Sequence, residues 1–291
     1  MNILSLDIGG TAVKSGMFSD GQLTFFEEFP TGAKDGAQSM VDRICAYIRE
    51  KNPDAVGIST SGQVNPKEGS IAFATDAMPG YTGFPLREYV STQTGLPVAV
   101  DNDVNCAAIG EAHFGAAKGI NDFLCLTIGT GIGGALFING KIYHGASGIA
   151  GEVGHLTTHR DGTPCNCGRT GCYETYASTS ALVRMAEKRL SRHTNGRELF
   201  ASRTDAVVAE LFDTWADEVV TGLASLTHSI NPEAIVLGGG LMSQPEIFAL
   251  INDKYQKEIL PSFRGTKLLL AGLGNQAGVY GAYALAKNLL H

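Results

Sequence analysis

Three kinds of group in this chain are suited to chemistry: carboxylates at the ends of strands, glycine-rich turns, and one histidine grouped with three cysteines. Asp7-Ile8-Gly9-Gly10-Thr11 closes an apolar run with two glycines, which let backbone N–H groups approach phosphate oxygens. The Thr11 hydroxyl adds a donor, and Asp7 can hold the water of a metal ion. The same residues also suit a plain hairpin turn. This is not the Walker pattern, because no Gly-Lys-Ser/Thr follows and Lys14 falls in the next strand-like run. Gly129-Thr130-Gly131-Ile132-Gly133-Gly134 repeats the device, so that two turns can grip one triphosphate. Gly238-Gly239-Gly240 follows another apolar run, where bare backbone either accepts a flat base or simply turns a strand into a helix.

Asn102-Asp103 stands where a strand meets a helix N-terminus, whose dipole favours an ionised carboxylate. A carboxylate there can orient an alcohol and accept its proton as phosphoryl transfer proceeds. Capping is the ordinary role of Asn or Asp at such a position, and the two roles can coexist. Glu152-Val153-Gly154-His155 and Cys165-Asn166-Cys167, with Cys172-Tyr173-Glu174, offer a closed Cys₃His set that suits structural rather than catalytic zinc. Free thiols in a surface loop are the competing reading, and His159 is a spare ligand. A metal loop would fix Glu152 and Glu174 as acceptors for hydroxyl groups; otherwise both are ordinary exposed acids. Ser61-Gly62-Gln63-Val64-Asn65 and Pro79 to Phe84 can wall a pocket or be plain loops.

The elements that must position these groups come in two series. Ile3–Asp7, Ala12–Phe18 and Leu23–Phe29 read as a meander, followed by a helix over 36–51 that Asn52-Pro53 ends. Short buried strands at Ala55–Ser59 and Pro97–Asp101 lead to a helix from Asn102-Asp103 to about Phe114. The pattern then restarts with Phe123–Ile128, a glycine turn, Ala135–Ile138, an Asn139-Gly140 turn and Ile142-Tyr143. A long amphipathic helix over 205–230, a strand at Ala234–Leu237, a helix opened by Pro245, a strand at Lys267–Leu270 and a helix over 276–290 complete the series. We read an α/β protein with a duplicated fold and a ligand cleft between its halves. The expected lobes are 1–114, with the C-terminal helix 276–291 packing back on it, and 115–275, carrying the zinc loop.

With 44% hydrophobic and 18% charged residues, the chain is globular rather than disordered. A net charge of −7 argues against a nucleic-acid partner, whose phosphates call for basic faces. The N-terminus does not read as a secretory signal, and the apolar stretch Phe123–Ile138 is too short and glycine-broken to span a bilayer. A cytoplasmic protein is expected.

These motifs resemble the ROK family (repressors, open reading frames and kinases) of the actin-like ATPase superfamily. The resemblance runs from Asp7–Thr11 through Gly129–Gly134 and His155/Cys165/Cys167/Cys172 to Gly238–Gly240, essentially the whole chain. It implies two actin-like (ribonuclease H-like) lobes and an ATP-dependent kinase phosphorylating a hexose or hexose derivative, typically at the 6-hydroxyl. It implies Asp103 as the base, with Gly62, Asn102, Glu152, His155 and Glu174 on the sugar. It also implies Asp7, Gly9, Gly10, Thr11, Lys14, Thr130 and Gly131 around the phosphates and Mg²⁺, and Gly239 on the adenine side. His155, Cys165, Cys167 and Cys172 would hold structural Zn²⁺, and relatives are commonly homodimers. Leu124–Gly131 and Asn275-Gln276-Ala277-Gly278 resemble glucokinases and β-glucoside kinases, with N-acetylmannosamine kinase a further alternative. Asn65 replaces an Asp of many relatives and Ala135 a Gly, which leaves sugar choice open. A sugar-sensing repressor of the family would need a DNA-binding domain before Asp7. A filament-forming or chaperone-like ATPase would need neither the zinc stretch nor Asn102-Asp103.

Overall fold

The computed structural model describes residues 1–290; His291, the end of the expected C-terminal helix, lies outside the described residues. Two compact units are present. The first comprises Met1–Gly119, Lys141–Ala150 and the residues from Asn275 onward; the second comprises Ile120–Gly140 and Gly151–Gly274.

In the first unit, β1 (Asn2–Ile8), β2 (Ala12–Ser19) and β3 (Gln22–Pro30) form the antiparallel meander. After α1 (Ala37–Lys51) comes β4 (Ala55–Thr60), then the small hairpin of β5 (Gln63–Asn65) and β6 (Ser70–Phe73). The helix α2 (Leu86–Thr94), the strand β7 (Val98–Asn102) and the helix α3 (Asp103–Phe114) follow. The sheet order is β3-β2-β1-β4-β7, with β4 parallel to both β1 and β7. All six residues of β4 are buried, as expected for a central parallel strand covered on both faces. Asn52 ends α1 in the left-handed conformation at φ 49°, before Pro53.

The second series is β8 (Phe123–Ile128), β9 (Ile132–Ile138) and the two-residue β10 (Lys141–Ile142). The helices α4 (Glu174–Ala177), α5 (Thr179–Leu190), α6 (Gly196–Ala201) and α7 (Ala206–Ile230) follow. Then come β11 (Ala234–Gly238), α8 (Pro245–Glu258) and β12 (Lys267–Leu270). The order β10-β9-β8-β11-β12 repeats the first sheet: an antiparallel side leads into parallel strands. The core of this unit closes around Trp215, whose Nε1 donates to the carbonyls of Ala177 and Ser178, both at 3.0 Å. Buried Tyr173 donates its hydroxyl to the Val219 carbonyl at 2.7 Å, so both large polar aromatics are satisfied.

The last helix, α9 (Ala277–Lys287), belongs to the first unit. It packs backbone to backbone: a Cβ on Gly281 would stand 1.7 Å from the Cys106 carbonyl oxygen of α3. One on Gly57 of β4 would stand 1.9 Å from the Ala282 carbonyl oxygen. Among the described residues, no helix is long and apolar enough to cross a membrane.

Candidate active site and metal cluster

The parallel strands of the first unit deliver a group of polar residues to their C-terminal ends. At the end of β1, Asp7 accepts the Ser59 hydroxyl at Oδ1 (2.7 Å) and pairs with Lys14 Nζ at Oδ2 (3.2 Å). Gly278 of α9 makes room for it, since a Cβ there would lie 2.9 Å from Asp7 Cγ. The β1–β2 turn is closed by Gly9 N–H donating to the Ala12 carbonyl at 2.9 Å. Thr31 holds the turn from behind, with its hydroxyl on the Gly9 carbonyl at 2.7 Å and its N–H on the Thr11 carbonyl at 3.0 Å. Gly10 and Thr11 stay exposed.

At the end of β7, Asn102 caps α3, its Oδ1 accepting from Val104 N–H at 2.9 Å and Asn105 N–H at 3.3 Å. Its Nδ2 donates to the Gly62 carbonyl at 2.8 Å, which ties the end of β7 to the turn before β5. Gly62 sits at φ 97°, and a Cβ there would meet the Phe73 carbonyl oxygen at 2.7 Å, so only glycine suits. Asp103 opens α3 and accepts Val104 N–H at 2.9 Å. Its pKa is pushed up to about 6, by burial first and then by the negative charge of Asp7. Asn65 is the cap of the β5–β6 turn, accepting Lys67 N–H at 3.1 Å, a bond that Asp would make equally well.

In the second unit the β8–β9 turn mirrors the first, with Gly129 N–H donating to the Gly131 carbonyl at 2.9 Å and Thr130 exposed. Gly129 and Thr130 line a cavity of about 930 Å³ together with Gly240 and Leu241. Gly239 itself, at φ 121°, is packed into the turn; a Cβ there would stand 2.1 Å from the Ile128 carbonyl oxygen. Sequence reasoning missed the opposite wall: Thr179 and Ser180 of α5, Thr194–Arg197 entering α6, and Gln244. The signal for it was the cap residues, Ser178 before α5 and Asn195 before α6.

His155, Cys165, Cys167 and Cys172 bring one ligand atom each to within 4.8 Å of one another. Cys167 and Cys172 Sγ are 3.6 Å apart, and Cys165 Sγ is 3.7 Å from His155 Nδ1. Thiolates bound tetrahedrally at about 2.3 Å from zinc lie roughly 3.8 Å from each other, so the donor set fits that ion. The Arg169 backbone N–H holds the Cys167 thiol low. Burial pushes Cys165 up to about 12, so a cation is needed to displace its proton. The Cys165 thiol donates to Glu174 Oε1 at 3.2 Å, and the other carboxylate oxygen accepts Ile132 N–H at 3.4 Å. His155 turns Nδ1 to the cysteines and Nε2 toward Glu152, whose Oε2 is 3.9 Å away. His159 instead stacks on Tyr176 and faces Glu218 at 3.6 Å, outside the cluster.

Comparison with known proteins agrees along the whole chain. A β-glucoside kinase of Listeria monocytogenes is 35% identical over 97% of this chain and 96% of its own. A glucokinase of Halalkalibacterium halodurans is 33% identical over 98% of this chain and 94% of its own. The crystal structure of a ROK family glucokinase from Streptomyces griseus, in complex with glucose and AMPPNP, superposes with a TM-score of 0.83 at 34% identity, covering 99% of this chain and 100% of that one. The fold is therefore that of the actin-like sugar kinases. With the ROK family model matching residues 3–289, the chain belongs to the ROK family.

Proposed function

We propose that this protein is an ATP-dependent sugar kinase that transfers the γ-phosphoryl group to a hexose, at the 6-hydroxyl of a glucose-type sugar. The observation that carries the reading is Asp103: a carboxylate at a helix N-terminus, raised to about 6, beside the hydrogen-bonded pair Gly62–Asn102. At neutral pH it is ionised, yet more basic than a solvated aspartate, which suits a group that takes a proton late in the reaction. The acceptor hydroxyl donates a hydrogen bond to Asp103. As its oxygen bonds to phosphorus and the bond to the ADP oxygen breaks in line, the proton passes to Asp103.

The remaining roles are part of the same proposal. Asn102 spends Oδ1 on the cap and one Nδ2 hydrogen on Gly62, leaving the other hydrogen for a sugar hydroxyl. Glu152, Glu174 and His155 Nε2 supply further sugar contacts, with His155 Nδ1 left to the metal. Gly10, Thr11, Thr130 and Gly131 would offer backbone and hydroxyl donors to the phosphates, with Gly9, its N–H on the Ala12 carbonyl, shaping the turn that presents them. The cavity beside Gly240 takes the nucleoside. Mg²⁺ bound with ATP would neutralise phosphate charge; Asp7 would hold it through its water, and the Lys14 ammonium would face the phosphate oxygens. Zn²⁺ in the Cys₃His cluster would be structural, holding His155 and Glu174 in place. ATP use and thiolate ligation together suit the cytoplasm.

A coupled ADP assay over glucose, mannose, N-acetylmannosamine and cellobiose tests the reading. We expect ADP release only when a sugar is present; equal ATP hydrolysis without sugar would overturn it. Cellobiose turned over faster than glucose would assign a β-glucoside kinase. D103N should keep sugar affinity within a few-fold while kcat drops ~100-fold or more.

A further inference from the structure

Asp101, the residue before the Asn102–Asp103 pair, is 3% exposed and carries a carboxylate that no step above uses. Its Oδ1 accepts the Asn102 backbone N–H at 2.7 Å and the Asn105 side-chain amide at 2.9 Å. Its Oδ2 lies 2.8 Å from His144 Nε2. A buried carboxylate persists only where donors replace its water, and here three do so.

His144 begins a loop that closes on itself, Ala150 N–H donating to the His144 carbonyl at 3.0 Å. Within it, Gly148 at φ 89° comes so near the β5 hairpin that a Cβ would stand 2.5 Å from Pro66 Cδ and 3.4 Å from the Val64 carbonyl oxygen. β5 starts one residue after Gly62, the acceptor for Asn102 Nδ2. The contacts form a closed circuit inside the first unit. It runs from Asn102 to Gly62, along β5 to Gly148, round the loop to His144, and through Asp101 back to Asn102.

We propose that Asp101 and His144 are a positioning pair for sugar phosphorylation, fixing the corner made by Gly62, Asn102 and Asp103 through this circuit of hydrogen bonds and close packing. The inference rests on the kinase reading above. Neither residue needs to touch the reacting atoms. Asp101 orients the Asn102 peptide and, through Asn105, the first turn of α3, while His144 holds Asp101 and anchors the loop. Without His144, Oδ2 must turn toward water, and the two donors on Oδ1 lose their fixed partner. Small displacements of a reacting group are costly in rate.

The test uses His144, which is more exposed than Asp101. H144A should lower kcat/KM for the sugar by ~10-fold, leave the ATP KM within twofold, and keep a cooperative thermal transition. H144Q, whose amide can still donate to Asp101, should recover most of the loss. If H144A does not fold, H144M, bulky but without a donor, takes its place in the comparison. The proposal is overturned if the variant lacking the donor stays within twofold of wild type for sugar. Equal movement of the sugar and ATP KM values, or H144Q no better than the donorless variant, would also overturn it. A wild-type enzyme that phosphorylates no sugar defeats the kinase reading and this inference together. D103N inactive with H144A unchanged defeats only this one.

Discussion

Asp103 is held where its charge is disfavoured, and two measurements follow from that. Its pKa is about 6 in the folded protein against an ordinary 3.8, so the folded state binds the proton more tightly than the unfolded chain. This group therefore disfavours folding increasingly as pH rises from 3.8 through about 6, and most above it. D103N should raise Tm at pH 7.5 and change it little at pH 4; equal shifts at both would show that charge is not the cause. With the same carboxylate as the proposed base, kcat/KM for sugar should fall about tenfold per pH unit below about 6. A flat profile down to pH 5 would remove Asp103 as the base. His144 has the opposite sign. The Asp101 hydrogen bond raises its pKa above 6.5, so its stabilisation is complete below 6.5 and is lost as pH rises through the folded value. The Tm advantage of wild type over H144Q should shrink accordingly between pH 6 and 9. Asn102-Asp103 was legible in the sequence because strand, cap and helix adjoin there. Asp101–His144 was not, because its members lie 43 residues apart and no local pattern marks either one.

On the proposed reading, the turn over Gly129–Gly131 faces both substrates. A Cβ on Gly131 would stand 2.5 Å from Glu174 Oε2, whereas one on Gly129 meets nothing within 4 Å but borders the cavity beside Gly240. G131A should therefore raise the sugar KM by ~10-fold if Glu174 loses its hydrogen bond to a hydroxyl, and, because Gly131 is also proposed to face the phosphates, the ATP KM as well. G129A should raise the ATP KM and leave the sugar KM within twofold, and steady-state kinetics in both substrates checks the pair. Long or strongly patterned elements were readable. The helices over 36–51 and 205–230 appear as α1 and α7 within a residue, and Pro245 stands at the first position of α8. The β5–β6 hairpin was not, since strands of three and four residues carry too little alternation to stand out from a loop. The expected helix over 276–290 is α for Ala277–Lys287 only and tightens into a 3₁₀ turn at Asn288–Leu290.

On the scale of the molecule, one sheet plan is used twice with different inserts. The second copy carries the Cys₃His cluster between β10 and α4, where Gly171 lies so close to His159 that a Cβ would be 1.6 Å from its carbonyl oxygen. Removing metal with a chelator should lower Tm and raise the sugar KM by ~10-fold or more, since His155 and Glu174 share the cluster, while zinc alone restores both. Unchanged kinetics in metal-free protein would separate the cluster from sugar binding. The cysteine and histidine spacing announced this cluster in the sequence, because closely spaced ligands in one glycine-rich loop need little tertiary structure to meet. The cavity beside Gly240, proposed for the nucleoside, was only half visible, since its second wall comes from α5 and α6, 50 to 70 residues beyond the glycine turn.

The place of α9 has a consequence for biosynthesis. Its Gly278, Gly281 and Ala282 fit against Asp7, Cys106 and Gly57, and Val279 and Tyr283 seal Ile3 and Phe18. The first unit thus receives this layer from a segment made after the whole of the second unit. The nascent amino-terminal sheet must wait without that layer until α9 has been synthesised. The other unit, whose members are all made earlier, is free to fold during that delay.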